Sequence, residues 1–146
     1  MYQPLTKYFE ETLSKQWHNV LLESYSTKET ISGQSLASYI SSMHGFWSRL
    51  NIGDGEKIAM CIPPGMQWAK LFFAVFCSKY VPIALPSDIN LAISAAYHSD
   101  CKILYIQRSD LSIIDICKFT NLDYIISIEN NDILWTSNEN TASIHY

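Results

Sequence analysis

The chain has 146 residues, of which 48% are hydrophobic and 16% charged, and its net charge is −4. It is apolar enough to bury a core and too apolar for a disordered chain. No basic run or stripe is present, which argues against a nucleic-acid surface. The longest apolar run, residues 71–77, falls far short of a membrane span, and the N-terminus lacks the apolar region of a signal peptide. These features point to a cytoplasmic chain.

In chain order, the first expected element is a helix over residues 6–22, with Phe9, Leu13, Trp17, Val20 and Leu21 on one face. Residues 23–34 are polar and read as a loop or small hairpin. A second helix is expected over 35–50, where Leu36, Tyr39, Ile40, Met43, Phe46, Trp47 and Leu50 form an apolar stripe. Asn51-Ile52-Gly53-Asp54-Gly55 stops it. Residues 57–62 read as a strand, broken by Pro63-Pro64-Gly65. A third helix, 66–78, is apolar on nearly every side and so requires cover on more than one face.

Residues 80–85 read as a strand in which Pro82 is awkward for a central position. Ser87 or Asp88 caps a helix that buries Ile89, Ala92, Ile93 and Ala96. Residues 102–106 form the next strand. Ser109 or Asp110 caps a further helix running to about Phe119. Residues 124–128 form another strand, 130–140 a surface loop, and 141–146 the start of one more strand. Short, continuously apolar strands alternating with helices predict an α/β fold, a doubly wound, mostly parallel sheet with helices on both faces. The expected organisation is one partial domain: an N-terminal helix and loop over 1–34, an α/β core over 35–128, and a loop with a lead-in strand over 129–146.

Ligands of such folds gather beyond the carboxyl ends of the strands. The first strand–helix loop, Ile62-Pro63-Pro64-Gly65-Met66, is a poor phosphate cradle because two prolines remove two N–H donors. Leu85-Pro86-Ser87-Asp88 offers one polar pair. Gln107-Arg108-Ser109-Asp110 is polar and reads foremost as a surface cap. Neither GxGxxG nor GxxxxGK[ST] occurs, nor does a GxSxG elbow. Cys61, Cys77, Cys101 and Cys117 show no CxxC pairing and read as buried thiols in a reducing compartment. His18 and His44 read as helix-boundary residues, His98 as a partner of a helix dipole, and His145 as pointing away from an apolar face. Trp17, Trp47 and Trp68 fit helix core faces, and Trp135 has no assigned place.

The order of segments resembles the N-terminal part of the adenylate-forming (AMP-binding) ligases, which include acyl-CoA synthetases, fatty acyl-AMP ligases and peptide-synthetase adenylation domains. Ile31-Ser32-Gly33-Gln34-Ser35-Leu36 stands where that family has "iTY-x-eL", with Gly33 in place of the aromatic residue. Gly55-Glu56-Lys57-Ile58-Ala59 matches "G-[DE]-[KR]-[VI]-A". Pro63 through Trp68 to Phe76 matches the proline break and Trp-containing helix. Lys79-Tyr80-Val81-Pro82-Ile83-Ala84-Leu85-Pro86 matches "G-a-v-x-V-P-l", with Lys79 in place of Gly and the proline displaced. Tyr97 to Tyr105 matches the "s-x-s-x-a-k-x-l-i" segment, and Asn140 to Tyr146 resembles the strand that leads into the family's phosphate loop.

The resemblance implies ATP and Mg, a carboxylic acid substrate and an acyl-adenylate product for a full-length member. It implies as partners the rest of the ligase, its large N-terminal and C-terminal subdomains, or a complementing chain. The phosphate loop, the adenine-, ribose- and Mg-binding motifs and the C-terminal lysine have no counterpart in these residues. No catalytic, cofactor-binding or metal residue is therefore expected here, no cofactor is expected on this chain, and the chain is expected to be catalytically incomplete alone. The alternatives are a stand-alone α/β protein-interaction or complementing domain without enzymatic activity, and an unrelated doubly wound binding domain.

Overall fold

A computed structural model describes residues 5–15, 17–25, 27–86 and 88–137. The expected strand at 141–146, His145, and Ser87 as a cap lie outside them. The chain divides into two compact units, one from Met1–Gly55 with Pro64–Tyr80, the other from Glu56–Pro63 with Val81–Tyr146. None of the described helices is long and apolar enough to cross a membrane.

The first unit holds α1 (Leu5–Lys15), a hairpin of β1 (Val20–Glu23) and β2 (Thr30–Ser32), α2 (Gly33–Arg49) and α3 (Met66–Cys77). Here the structure corrects the first expected helix. α1 stops at Lys15, and Val20–Glu23 pairs antiparallel with Thr30–Ser32 instead of continuing the helix. Val20 and Leu21 fall at helical spacing from Leu13 by coincidence. Trp17 is consequently left 39% exposed and is no core residue. The polar residues that follow do form the turn of a hairpin.

Leu13, Ile31 and Leu36 form the buried centre of this unit, with Phe9, Ile40, Met66 and Phe73 packed around them. The Phe9 and Phe73 rings stack at 4.7 Å. Trp47 is fully buried and meets Tyr80 edge-to-face at 5.6 Å, and the Tyr80 hydroxyl donates to the Ile52 carbonyl at 3.1 Å. Ser32 caps α2 by accepting from the Ser35 N–H. α3 buries Leu71, Ala74 and Val75, while Trp68, Phe72 and Phe76 stack along a half-buried ridge one turn apart.

The second unit is a five-stranded sheet: β3 (Lys57–Cys61), β4 (Val81–Ala84), β5 (Ile103–Ile106), β6 (Tyr124–Ser127) and β7 (Ile133–Thr136), in spatial order β4-β3-β5-β6-β7. The first four are parallel, and β7 runs antiparallel to β6. β4 is an edge strand, which explains Pro82. The N–H groups of Val81 and Leu85 donate inward to β3, so the backbone nitrogen of residue 82 faces outward, where proline removes no ladder bond. Ala59, Leu104 and Ile125 lie in one register row and face a cluster with Ala92 and Ala96 of α4 (Ile89–His98). On the opposite pleat, Ile58, Met60, Ile103, Tyr105 and Ile126 are fully buried too.

Two further expectations change in this unit. Residues 108–118 form two short 3-10 segments, Arg108–Ile113 and Ile116–Lys118, and not one α-helix. Leu111, Ile114, Ile116 and Phe119 still pack onto the sheet, but Ile114 and Asp115 are extended between the segments. Cys117 is thereby left exposed, and Cys77 is half-buried, so only Cys61 and Cys101 are the buried thiols expected of all four. The expected loop over 130–140 contains β7, which gives Trp135 its place opposite Ile125 and against the core cluster.

Three helices end alike, each followed after its cap by a non-glycine residue in the left-handed region: Asn51 at φ 60° after α2, Lys79 at φ 69° after α3, and Asp100 at φ 58° after α4. After α3 the Tyr80 N–H reaches back to the Val75 carbonyl and the Lys79 N–H to that of Phe76, a Schellman-type stop. Lys79 is the position where the resemblance expects glycine. Lys79→Gly should therefore raise stability by about 1 kcal/mol, the relief of a left-handed Cβ less the entropy of glycine. Trp47→Ala should cost about 3–5 kcal/mol and Trp17→Ala about 0.5 kcal/mol or less. Urea unfolding of the three variants checks all of these.

Candidate functional site

The carboxyl ends of β3, β4, β5 and β6 bring together the groups of the second unit that have chemistry. At the end of β3, the Cys61 thiol donates to the Pro86 carbonyl, which follows β4, at 3.6 Å. Asp88 follows as the N-cap of α4 and accepts from the Asn90 N–H at 2.9 Å. Burial, then the charges of Asp110 and Asp88, push the Cys61 thiol up to about 11. It is a neutral thiol at physiological pH and no nucleophile. Burial likewise raises Cys101.

Beyond β5 and β6 the polar groups pair with one another. The Arg108 backbone N–H donates to both carboxylate oxygens of Glu129, at 3.0 and 3.2 Å. The Arg108 guanidinium pairs with Asp132. The buried Ser127 hydroxyl donates to Glu129 at 2.5 Å, and the Tyr105 hydroxyl to the Asn131 side-chain oxygen at 2.8 Å. The Ser127 hydrogen bond first, and then the Arg108 backbone and charge, hold the Glu129 carboxyl below its ordinary value against the opposing effect of burial. The network closes the β6–β7 turn, where Asn131 sits at φ 60°. Asp110, expected as a helix cap, makes no cap here. Gln107 occupies that position without a side-chain hydrogen bond.

Sequence reasoning singled out Arg108 but missed Ser127, Glu129, Asn131 and Asp132, which fall in a strand end and an expected loop. The legible signal was the Ser-x-Glu followed by an Asn/Asp-rich turn, a pattern that bonds its own backbone. His18 and His44 are exposed, and His98 is exposed in the last turn of α4, as a dipole partner would be. No group of three or more His, Cys, Asp or Glu able to hold a metal exists among the described residues. Gly65, at φ 150°, sits in a conformation that favours glycine, and the two prolines ahead of it are exposed.

No family model matches this sequence, and no curated protein matches it. Solved structures do. An anthranilate CoA ligase, AuaEII, in complex with anthranoyl-AMP is similar with a TM-score of 0.73 at 12% identity, over 86% of this chain and 25% of that one. The N-terminal subdomain of Klebsiella oxytoca NpsA, in complex with 3-hydroxybenzoyl-AMSN, gives 0.66 at 17% identity, over 88% of this chain and 32% of that one. A long-chain-fatty-acid-CoA ligase (FadD1) from Archaeoglobus fulgidus gives 0.70 at 14% identity, over 90% and 29%. The chain thus spans between a quarter and a third of the length of these structures. At such identities the likeness is one of fold: a mostly parallel α/β sheet of the kind found in the N-terminal subdomain of adenylate-forming ligases.

A carboxyl held below its unfolded value binds its proton less readily in the folded chain. Glu129 therefore adds stability above the ordinary carboxylate range and loses it as pH falls through its lowered folded value. Glu129→Gln should be less stable than wild type at pH 7, by up to about 1 kcal/mol for a solvent-screened site. Urea titrations between pH 7 and 3 should show that gap closing as the pH drops.

Proposed function

We propose that these residues form part of the N-terminal region of an ATP-dependent carboxylate-activating ligase, an acyl-adenylate-forming enzyme of acyl-CoA synthetase or acyl-AMP ligase type, and that they act in it as scaffold. The observation that carries this reading is the agreement of two independent signals. The motif order from Ile31 to Arg108 resembles that family, and the fold of the same residues is similar to that of its solved members.

The described residues do not fit ATP or Mg themselves. The first strand–helix loop lacks N–H donors at Pro63 and Pro64. The one arginine at the strand ends is paired with Asp132, and Glu129 is engaged by Ser127 and the Arg108 N–H. No step of the reaction is assigned to this chain. In the proposed enzyme, nucleotide, metal and carboxylic acid are held by the remaining parts of the N-terminal subdomain and by the C-terminal subdomain, which are its partners. Four free cysteines suit a reducing compartment, and the cytoplasm is the proposed location.

Carboxylate-dependent ATP–pyrophosphate exchange, measured with a broad panel of acids, tests the reading. The complete reading frame that encodes these residues should support exchange, and the 146 residues alone should not. Exchange by the short chain would overturn the scaffold role. Silence of the complete frame with every acid would overturn the ligase reading and favour a stand-alone interaction domain.

A further inference from the structure

β7 ends the sheet of the second unit on one side. A strand has two hydrogen-bonding edges, and β7 uses one of them on β6, with Trp135 opposite Ile125 and the Ser137 N–H donating to the Asp123 carbonyl. Among the described residues no strand pairs with the other edge. The opposite margin of the sheet, β4, carries Pro82, whose missing N–H discourages a neighbour. β7 has no such guard. Ile133-Leu134-Trp135-Thr136 holds neither proline nor charge, and an uncharged, apolar edge is a template for another strand.

Residues 141–146 carry a strand pattern. Ala142, Ile144 and Tyr146 alternate with Thr141, Ser143 and His145, apolar with polar, at period two. Asn138-Glu139-Asn140 separates them from Ser137. So short a connection, with asparagine at both ends, suits a hairpin, whereas a parallel crossover needs about a dozen residues. Reach decides between the two margins of the sheet. From Ser137 to Thr141 the chain spans at most about 14 Å. The far edge of β4 lies about 24 Å from β7, and the outer edge of β7 only about 5 Å.

We propose that residues 141–146 dock on the outer edge of β7 as an antiparallel sixth strand. Such a segment spans about 20 Å, and the stretch from Ile133 to Ser137 about 17 Å, so the two match in length. This placement follows from sheet order and connection length, whatever the activity of the chain. It has a directional consequence. β7 runs against β6, so a strand antiparallel to β7 runs with the four parallel strands. Tyr146 then arrives at their carboxyl ends, level with the Arg108–Asp132 pair, on the side where ligands of such folds gather.

NOE spectroscopy and amide exchange of the 146-residue chain test this. Residues 142–145 should give cross-strand contacts to β7, and the β7 amides should exchange about ten-fold more slowly than in a chain ended at Ser137. Ser143→Pro and Ile144→Pro sample both parities of the strand. The proline whose nitrogen faces β7 should raise β7 exchange to the truncated level, and the one facing outward should leave it slow. Amides of β3 and β5 should stay slow in every variant, which shows that the fold is intact. Should the truncated chain not fold, the proline pair carries the comparison alone. The proposal is overturned by absence of contacts between the segment and β7, or by β7 exchange unchanged in both proline variants. Protection of β7 that grows with protein concentration, the mark of a second copy on this edge, would overturn it too.

Discussion

A parallel strand with a neighbour on each side has nothing left over for water. β3 is that strand here. Its flanking carbonyls receive the N–H groups of Val81 from one side and Lys102 from the other, and its side chains from Ile58 to Cys61 are at most 2% exposed. A strand buried on both pleats admits no unpaired charge, because the cost of burying one exceeds anything a short strand gains. The apolar run Ile58-Ala59-Met60-Cys61 satisfies this. β3 lies between β4, at the sheet edge, and β5, an interior strand. That order lets Pro82 stand in β4 and demands the four buried residues of β5.

The same constraint concentrates polarity at the strand ends. Charged groups excluded from the sheet emerge together where the strands finish, and in this chain they are used on one another. Arg108, Glu129, Asp132 and Ser127 form a closed set tying the end of β5 to the β6–β7 turn. Asp88 caps α4, and Cys61 keeps its proton. Groups spent on holding loops are not free to hold a nucleotide, and the proposed scaffold role asks for none that are.

Much of this fold was legible in the sequence. α2, α3, α4 and the four parallel strands each carry a period or an apolar run long enough to outweigh local noise, and Gly55, Pro63 and Asp88 mark their limits. Where reading failed, the physical signal was short or shared. Val20 and Leu21 continue the helical spacing of α1, so only the antiparallel pairing of Val20 with Ser32 and of Leu22 with Ile31 reveals a strand. Ile133 to Thr136 is four half-buried residues among asparagines and aspartates, and its register with β6 is a tertiary fact. Residues 108–118 hold the right apolar positions for a helix, but packing onto the sheet splits them into two turns around the extended Ile114 and Asp115. Of the strand-end network, Arg108 was visible as a polar loop residue. Its carboxylate partners, 21 and 24 residues further on, were not, because sequence spacing says nothing of contacts across strands. Lys79 was noticed as a departure from glycine, and the left-handed conformation explains why glycine would serve there.

The central claim is that β3 and β5 are the interior of a parallel sheet on which the rest of the second unit is hung. Native-state hydrogen exchange of the backbone amides addresses it most directly. The account predicts that the β3 and β5 amides exchange most slowly, at the free energy of global unfolding, and that those of β7 and of the 3-10 segments open earlier. Exchange of Ala59 through Cys61 and of Leu104 through Ile106 at the rate of exposed loops, or faster than β7, would contradict it.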